Sequence, residues 1–239
     1  MCGSKVMANK GGVRRLLLVN GNTNAALTDR LVERARVALP PERDIIGATA
    51  IYGPGYISAR ADAVVAARAI VDTIALEVKE YGAENISVCL LACFGEPGIG
   101  AAREIYPFPV VGMAEASILS AMQLGERFAI VTVGERWPSM LRELMRQQRL
   151  DDRCCATLAI NGHALEVAAS AEGARRKVAE LISEAREQHG ADVIIVGGAA
   201  LAGVANDLQP EFDVPLICSF SAGLAQAEAL ASLREPVRH

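Results

Sequence analysis

The stretch GAENISVCLLACFG at 82–95, followed by PVVGMAEASILSAMQLG at 109–125, is echoed by GADVIIVGGAALAG at 190–203 followed by PLICSFSAGLAQAEAL at 215–230. Both passages run from a Gly-Ala turn into a short apolar stretch and a loop of small residues. A proline, a second apolar stretch and an Ala-rich pattern of helical period follow. Apolar runs of this length between glycines suit strands covered on both faces, as in a parallel sheet. The spacing is kept as well: 16 residues lead from Cys93 to Pro109 and 17 from Gly198 to Pro215. An internal duplication with a period of about 105 residues accounts for both features. The alternative is chance likeness between two ordinary βα units.

Outward from these passages the same alternation continues. Arg15–Asn20 reads as a strand, Ala25 to about Leu39 as a helix, and Asp44–Ile51 as a strand ending at Tyr52-Gly53-Pro54-Gly55. A long helix over about Ala61–Glu80, a strand at Ile86–Ala92, a helical segment at Pro97–Ile105, a strand at Val110–Met113 and a helix at Glu115–Leu124 complete the first round. The second has strands at Phe128–Thr132, Ala156–Ile160, Val193–Val196 and Leu216–Cys218, with helices through Met145, over Gly173–Gln188 and from about Ser221 to Leu233. This order predicts an α/β fold of two pseudo-symmetric flavodoxin-like halves, each with a four-stranded parallel sheet. Ligands of such sheets bind beyond the carboxyl ends of the strands, so two facing halves share one active-site cleft. The expected boundaries are a flexible leader at 1–13, a first half of 14–115 with 221–239, and a second half of 116–220.

Composition narrows the function. Apolar residues make up 51% of the 239, charged residues 22% and aromatics 4%, with a net charge of −4. The excess of small aliphatics suits parallel strands under helices. Without a basic stripe or stacking aromatics, nucleic acid is not an expected partner. No apolar run approaches the ~18 residues of a membrane span, and the first dozen residues lack the apolar middle of a signal peptide. A cytoplasmic protein with no membrane partner is expected. The six cysteines (2, 89, 93, 154, 155 and 218) form no CxxC pair and only three histidines accompany them. No metal is expected, and the thiols should stay free.

The strand ends carry the candidate chemistry. They read Asn20-Gly21-Asn22-Thr23, Tyr52-Gly53-Pro54, Cys93-Phe94-Gly95 and Gly112–Glu115 in the first half. The second half supplies Thr132-Val133-Gly134, Asn161-Gly162-His163, Gly197-Gly198-Ala199 and Cys218-Ser219. No phosphate-binding glycine motif opens a helix here, which disfavours a nucleotide. Asn22 or Thr23 suits an N-cap, whereas Asn20 at a strand end offers a ligand both donor and acceptor. Cys93 is either a small core residue or a reactive thiol, whose pKa a helix start would lower; Cys89, inside the same strand, is a core residue. Glu115 fits equally a substrate contact and a first-turn carboxylate. His163 reads as a surface histidine. Arg136-Trp137 either covers the cleft or begins a helix with Pro138 in its first turn.

Several motifs together resemble the aspartate/glutamate/hydantoin racemase superfamily, hydantoin racemases above all. They are N-x-N-T at Asn20, Asn22 and Thr23, the Gly-Pro after the second strand, ACFGEPG at Ala92–Gly98 with AARE at Ala101–Glu104, and G-x-x-E-A at Gly112–Ala116. The likeness spans about residues 14–233. It implies an isomerase without cofactor, a small-molecule substrate and a homo-oligomer. It also implies proton transfer at a carbon acid by two cysteines, one from each half. A thiol suits that work because its reference pKa lies near neutrality. The implied donors to the enolate are backbone N–H groups near Phe94-Gly95 and Gly198-Ala199, with Thr132 or Asn20.

The chain departs from that pattern at one point, because Gly198 stands where the second cysteine belongs. Three readings follow. A one-thiol racemase-like enzyme, decarboxylase or isomerase would work on one face through Cys93. A racemase could draw its second base from elsewhere, with Cys218 at the end of the last strand as the candidate. A ligand-binding relative would have kept the cleft and lost turnover.

Overall fold

The computed structural model describes residues 14–160 and 171–233. In chain order the elements up to residue 124 are β1 (Arg15–Asn20), α1 (Ala25–Ala38), β2 (Ile45–Thr49), α2 (Arg60–Tyr81), β3 (Ile86–Leu91), α3 (Ile99–Ile105), β4 (Val110–Gly112) and α4 (Met113–Leu124). After them come β5 (Phe128–Val133), α5 (Trp137–Gln148), β6 (Cys154–Ile160), α6 (Ala171–Glu187), β7 (Val193–Val196), α7 (Val204–Leu208), β8 (Leu216–Cys218) and α8 (Ser219–Leu233). Strand order is β2-β1-β3-β4 in one sheet and β6-β5-β7-β8 in the other. Every neighbouring pair is parallel. The two-sheet α/β architecture expected from the duplicated passages is the observed one.

The duplication extends to individual hydrogen bonds. Val19 pairs with Leu91 in the first sheet, and Val131 pairs with Val196 in the second. Just past these pairs, Ala92 N–H donates to Val19 O and Gly197 N–H donates to Val131 O, each at 2.8 Å. The central strands β1, β3, β5 and β7 are almost wholly buried because helices cover both faces. Each fully buried Leu or Ile there contributes roughly 1.5–3 kcal/mol relative to exposure.

In both halves the last strand runs straight into its helix. α4 and α8 begin at Met113 and Ser219, two residues earlier than the sequence suggested, because extended Gly112 and Cys218 pass directly into the first turn. The two helices then pack on each other and exchange sides: α4 reaches β7 and β8 of the second sheet, and α8 lies over β3 and β4 of the first. Small residues permit the contact. A Cβ on Gly223 would come within 2.9 Å of the Leu90 side chain. Arg43 ties α8 down through Glu228 at 2.8 Å. Among the described residues no helix is long and apolar enough to cross a membrane.

Two local departures bear on the site. α3 starts at Ile99 rather than Pro97, because Glu96 (φ 50°) and Gly98 (φ 79°) adopt left-handed conformations that keep the loop after β3 out of the helix. The second glycine-rich run ends at Gly203 and leads into the short helix α7, which the sequence reading left unassigned.

Candidate active site

The carboxyl ends of the two sheets face each other across a narrow crevice. From the first half Asn22, Tyr56, Cys93 and Phe94 line it, and from the second Thr132, Trp137, Gly198 and Ala199. Its cavity volume is about 40 Å³, room for a few waters. The crevice is therefore narrow, and two aromatic rings border it. The Phe94 ring lies so near Gly197 that a Cβ there would stand 2.2 Å from it, and the Trp137 ring stands 2.6 Å from a Cβ placed on Gly95. Each half thus lays an aromatic ring on a glycine of the other.

Cys93 is 8% exposed and touches the crevice, whereas Cys89 is sealed in β3. Burial pushes the Cys93 thiol up to about 11, against the backbone N–H of Gly95. The nearby Glu96 carboxyl adds to the rise and the Glu96 N–H opposes it. The lowering expected from a helix start is overturned. Donor N–H groups are present, but they belong to a turn rather than to α3, and desolvation outweighs them. In the crevice Cys93 is a protonated thiol.

The opposite wall holds Thr132, Gly198 and Ala199. Thr132 Oγ1 donates to Gly197 O at 2.8 Å, and Gly198 N–H donates to Ser219 Oγ at 3.2 Å. Both groups expected as enolate donors are therefore engaged within the second half. Gly198 has φ 120°, a conformation that favours glycine. A Cβ there would meet nothing closer than Thr132 Oγ1 at 3.7 Å. Space for a side chain exists; the backbone angle resists one.

Other expected residues lie away from the crevice. Asn20 is fully buried beneath it. Its Nδ2 donates to Asn22 Oδ1 (3.0 Å), Asn24 O (3.1 Å) and Thr28 Oγ1 (3.1 Å), and its Oδ1 accepts from Asn22 N–H (3.2 Å). It braces the β1–α1 loop instead of facing the crevice, because an amide with no solvent access must be satisfied by protein. Asn24, not Asn22 or Thr23, is the N-cap of α1. Glu115 is ion-paired with Arg103 on the surface. Cys218 is buried off the crevice, its Sγ accepting from Gly203 N–H at 3.3 Å. His163 lies outside the described residues.

Three crevice features were missed or underweighted in the sequence. Asn22 lines the wall with Oδ1 held by Asn20 and by Asn24 N–H (3.0 Å). Tyr56 comes from the loop before α2, which Asp62 holds by accepting from Ser58 N–H (2.8 Å) and Ala59 N–H (2.9 Å). Its hydroxyl donates to Val133 O at 3.4 Å, and burial pushes it up to about 12, so it is a neutral phenol. Glu96 is 3% exposed; in the sequence it stands inside the ACFGEPG motif, which gave it no role of its own. Among the described residues no three His, Cys, Asp or Glu side chains converge as a metal site needs.

Comparison with known proteins identifies the family and agrees with the fold. The Asp/Glu/Hydantoin racemase family model matches residues 16–227. A hydantoin racemase of Paenarthrobacter aurescens is 30% identical over 220 residues, 92% of this chain and 92% of that one. The structure of allantoin racemase from Klebsiella pneumoniae superposes with a TM-score of 0.85 at 30% identity, covering 92% of this chain and 88% of that one. Allantoin racemase from Pseudomonas fluorescens gives 0.85 at 27% identity, covering 92% and 91%. The chain belongs to the Asp/Glu/hydantoin racemase family and is an isomerase of the racemase type.

Proposed function

We propose that this enzyme makes and reprotonates an enolate at the α-carbon of a small hydantoin-like cyclic amide or amino-acid derivative, without a cofactor, with Cys93 as the acid/base. The observation that carries the reading is Cys93 itself, a thiol at the carboxyl end of β3 bordering the crevice between the halves. The names of the relatives favour a cyclic ureide as the substrate. Cys93 is protonated at rest, so it must first release its proton to solvent; as the thiolate it takes the α-proton, leaving the enolate, and the thiol so formed returns a proton to that carbon. It becomes the base once substrate entry or a neighbouring group stabilises the thiolate. Asn22 Nδ2 is the side-chain donor at hand for the enolate oxygen, with backbone N–H groups of the Cys93 turn beside it; the Tyr56 hydroxyl, like that of Thr132, is spent on a carbonyl.

Gly198 favours a particular form of this reading. A glycine carries no proton donor, so exchange proceeds from the Cys93 face alone. The thiol would then take the α-proton of one enantiomer only, and inversion would draw its proton from water or another group on the Gly198 face. Incubating each enantiomer of a 5-substituted hydantoin in deuterated water tests both forms. Solvent deuterium entering the α-position of one enantiomer, with loss of that exchange in Cys93→Ala, is the expected result. Equal exchange and interconversion of both enantiomers would replace the one-sided form with two-base racemisation. Absence of exchange from either, alongside ligand-induced thermal stabilisation, would replace catalysis with binding.

A further inference from the structure

Glu96 stands three residues after Cys93 and is nearly as sealed as the core. Its left-handed backbone turns the carboxyl back under the β3 loop, where it lies against Gly112; a Cβ on that glycine would come within 2.1 Å of the carboxyl. Oε1 accepts from Glu115 N–H at 2.7 Å, at the start of α4, while Oε2 is buried without a hydrogen-bond partner among the described residues. Glu96 N–H in turn donates to Cys93 O at 3.1 Å. A carboxylate with one oxygen unsatisfied costs more than the neutral acid. The charged and titratable groups facing it are Cys93 from the β3 loop, Arg103 from α3 and Glu115 from α4. Arg103 is ion-paired with Glu115 on the surface, so it favours a charge on Glu96 only weakly, the smallest of the influences on that carboxyl.

We propose that Glu96 is the positioning residue of the Cys93 site. The thiol and the buried carboxyl hold at most one negative charge between them, so the protonation state of Glu96 decides when Cys93 can act as a base. This rests on the reading of Cys93 as the acid/base. Burial pushes the Glu96 carboxyl up to about 7, against the Glu115 N–H, with the Glu115 charge adding and the Ala114 N–H and Arg103 subtracting. Glu96 is therefore largely neutral just below neutrality and ionised above it, and its charge then opposes that of the thiolate. Like charges sharing one desolvated site cannot both form cheaply.

The test needs no turnover, so its failure is separable from failure of the enolate reading. Cys93 alkylation by iodoacetamide is followed by peptide mass spectrometry from pH 6 to pH 8.5 in the native chain and in Glu96→Gln. The variant keeps the acceptor for Glu115 N–H and removes the charge. The expected ratio of variant to native rates is near one at pH 6 and rises to roughly tenfold at pH 8.5, the size of a one-unit shift from a neighbouring like charge. A ratio that stays constant with pH would leave Glu96 a purely structural residue and overturn the proposal. Should Glu96→Gln not fold, carboxyl 13C titration of the native chain decides the matter. A Glu96 resonance titrating near pH 7 supports the proposal, and one titrating in the ordinary carboxylate range overturns it.

Discussion

Cys93 and Gly198 occupy equivalent positions in the two halves. Each follows the residue whose N–H bonds back to the neighbouring central strand, Ala92 to Val19 O and Gly197 to Val131 O, at 2.8 Å in both. The sequence alignment of the duplicated passages is thereby reproduced by hydrogen bonds that do not depend on it. One wall of the crevice carries a thiol and the other a backbone held at φ 120°. The asymmetry lies in side chain and backbone together.

Cys93 and Cys218 should separate cleanly under mutation. Cys93→Ala is expected to lower α-deuterium exchange by at least about 10²-fold, the lower range for loss of a general acid–base group. Cys218→Ala should keep that activity, because its sulfur only accepts from Gly203 N–H off the crevice. Exchange rates of the two variants, measured on the same hydantoin, check the assignment. A Cys218 variant without activity beside an active Cys93 variant would reverse it.

Gly198→Cys does not restore a symmetric pair without cost. A side chain fits in space, but the positive φ strains any residue other than glycine, by about 1–3 kcal/mol. Gly198→Ala and Gly198→Cys should therefore lose similar stability in urea titrations. If only the cysteine variant were destabilised, the origin would be the sulfur and not the backbone.

The crossed aromatic rings predict a compensating pair. Gly197→Ala forces its methyl group into the Phe94 ring and should cost about 1–3 kcal/mol by overpacking. Adding Phe94→Ala should recover part of that loss, giving a coupling of about 0.5–3 kcal/mol in a double-mutant cycle. Additive losses would mean that the ring moves aside freely.

Asn20→Ala should damage the scaffold more than substrate affinity. The amide serves Asn22, Asn24 and Thr28 from a fully buried position. Its removal leaves those groups unsatisfied at about 1–3 kcal/mol. Thermal melting and KM measured together test this; a large rise in KM at unchanged melting temperature would make Asn20 a direct ligand.

Glu96 also couples stability to pH. Its carboxyl titrates near 4.5 in the unfolded chain and near 7 in the fold. The folded chain binds that proton more tightly, so the contribution of Glu96 is full below about 4.5 and is lost as pH rises through about 7. Glu96→Gln removes this loss, and the stability of the native chain relative to the variant should fall across that window. Denaturant midpoints at pH 4.5, 6 and 8 read it out; a pH-independent difference contradicts it.

The fold was legible because its signals are local and repeated. Apolar runs such as Ile86–Leu91 and Val193–Val196, each bounded by small residues, specify buried parallel strands wherever they stand. The duplication then supplies the pairing of halves, and Cys93 could be separated from Cys89 by its place at the strand end. Asn20 misled because a strand-end amide looks the same in sequence whether it faces a ligand or braces a loop. Glu96 and Tyr56 went unread because neither belongs to a periodic pattern, and their importance comes from what surrounds them.

By itself the sequence determined the two-sheet architecture, the family and the Cys93/Gly198 asymmetry, all of which follow from hydrophobic period, spacing and residue identity along the chain. Only the tertiary structure decided which polar groups the crevice receives and how charged they are. Solvation and electrostatics at Cys93 depend on burial by Phe94 and Trp137, on the turn at Gly95–Glu96, and on a carboxyl folded beneath it. Phe94, Gly95 and Glu96 follow Cys93 directly, but what they do there is decided by partners distant in the chain, Trp137, Gly197 and the Gly112–Glu115 segment, and no local pattern encodes those contacts.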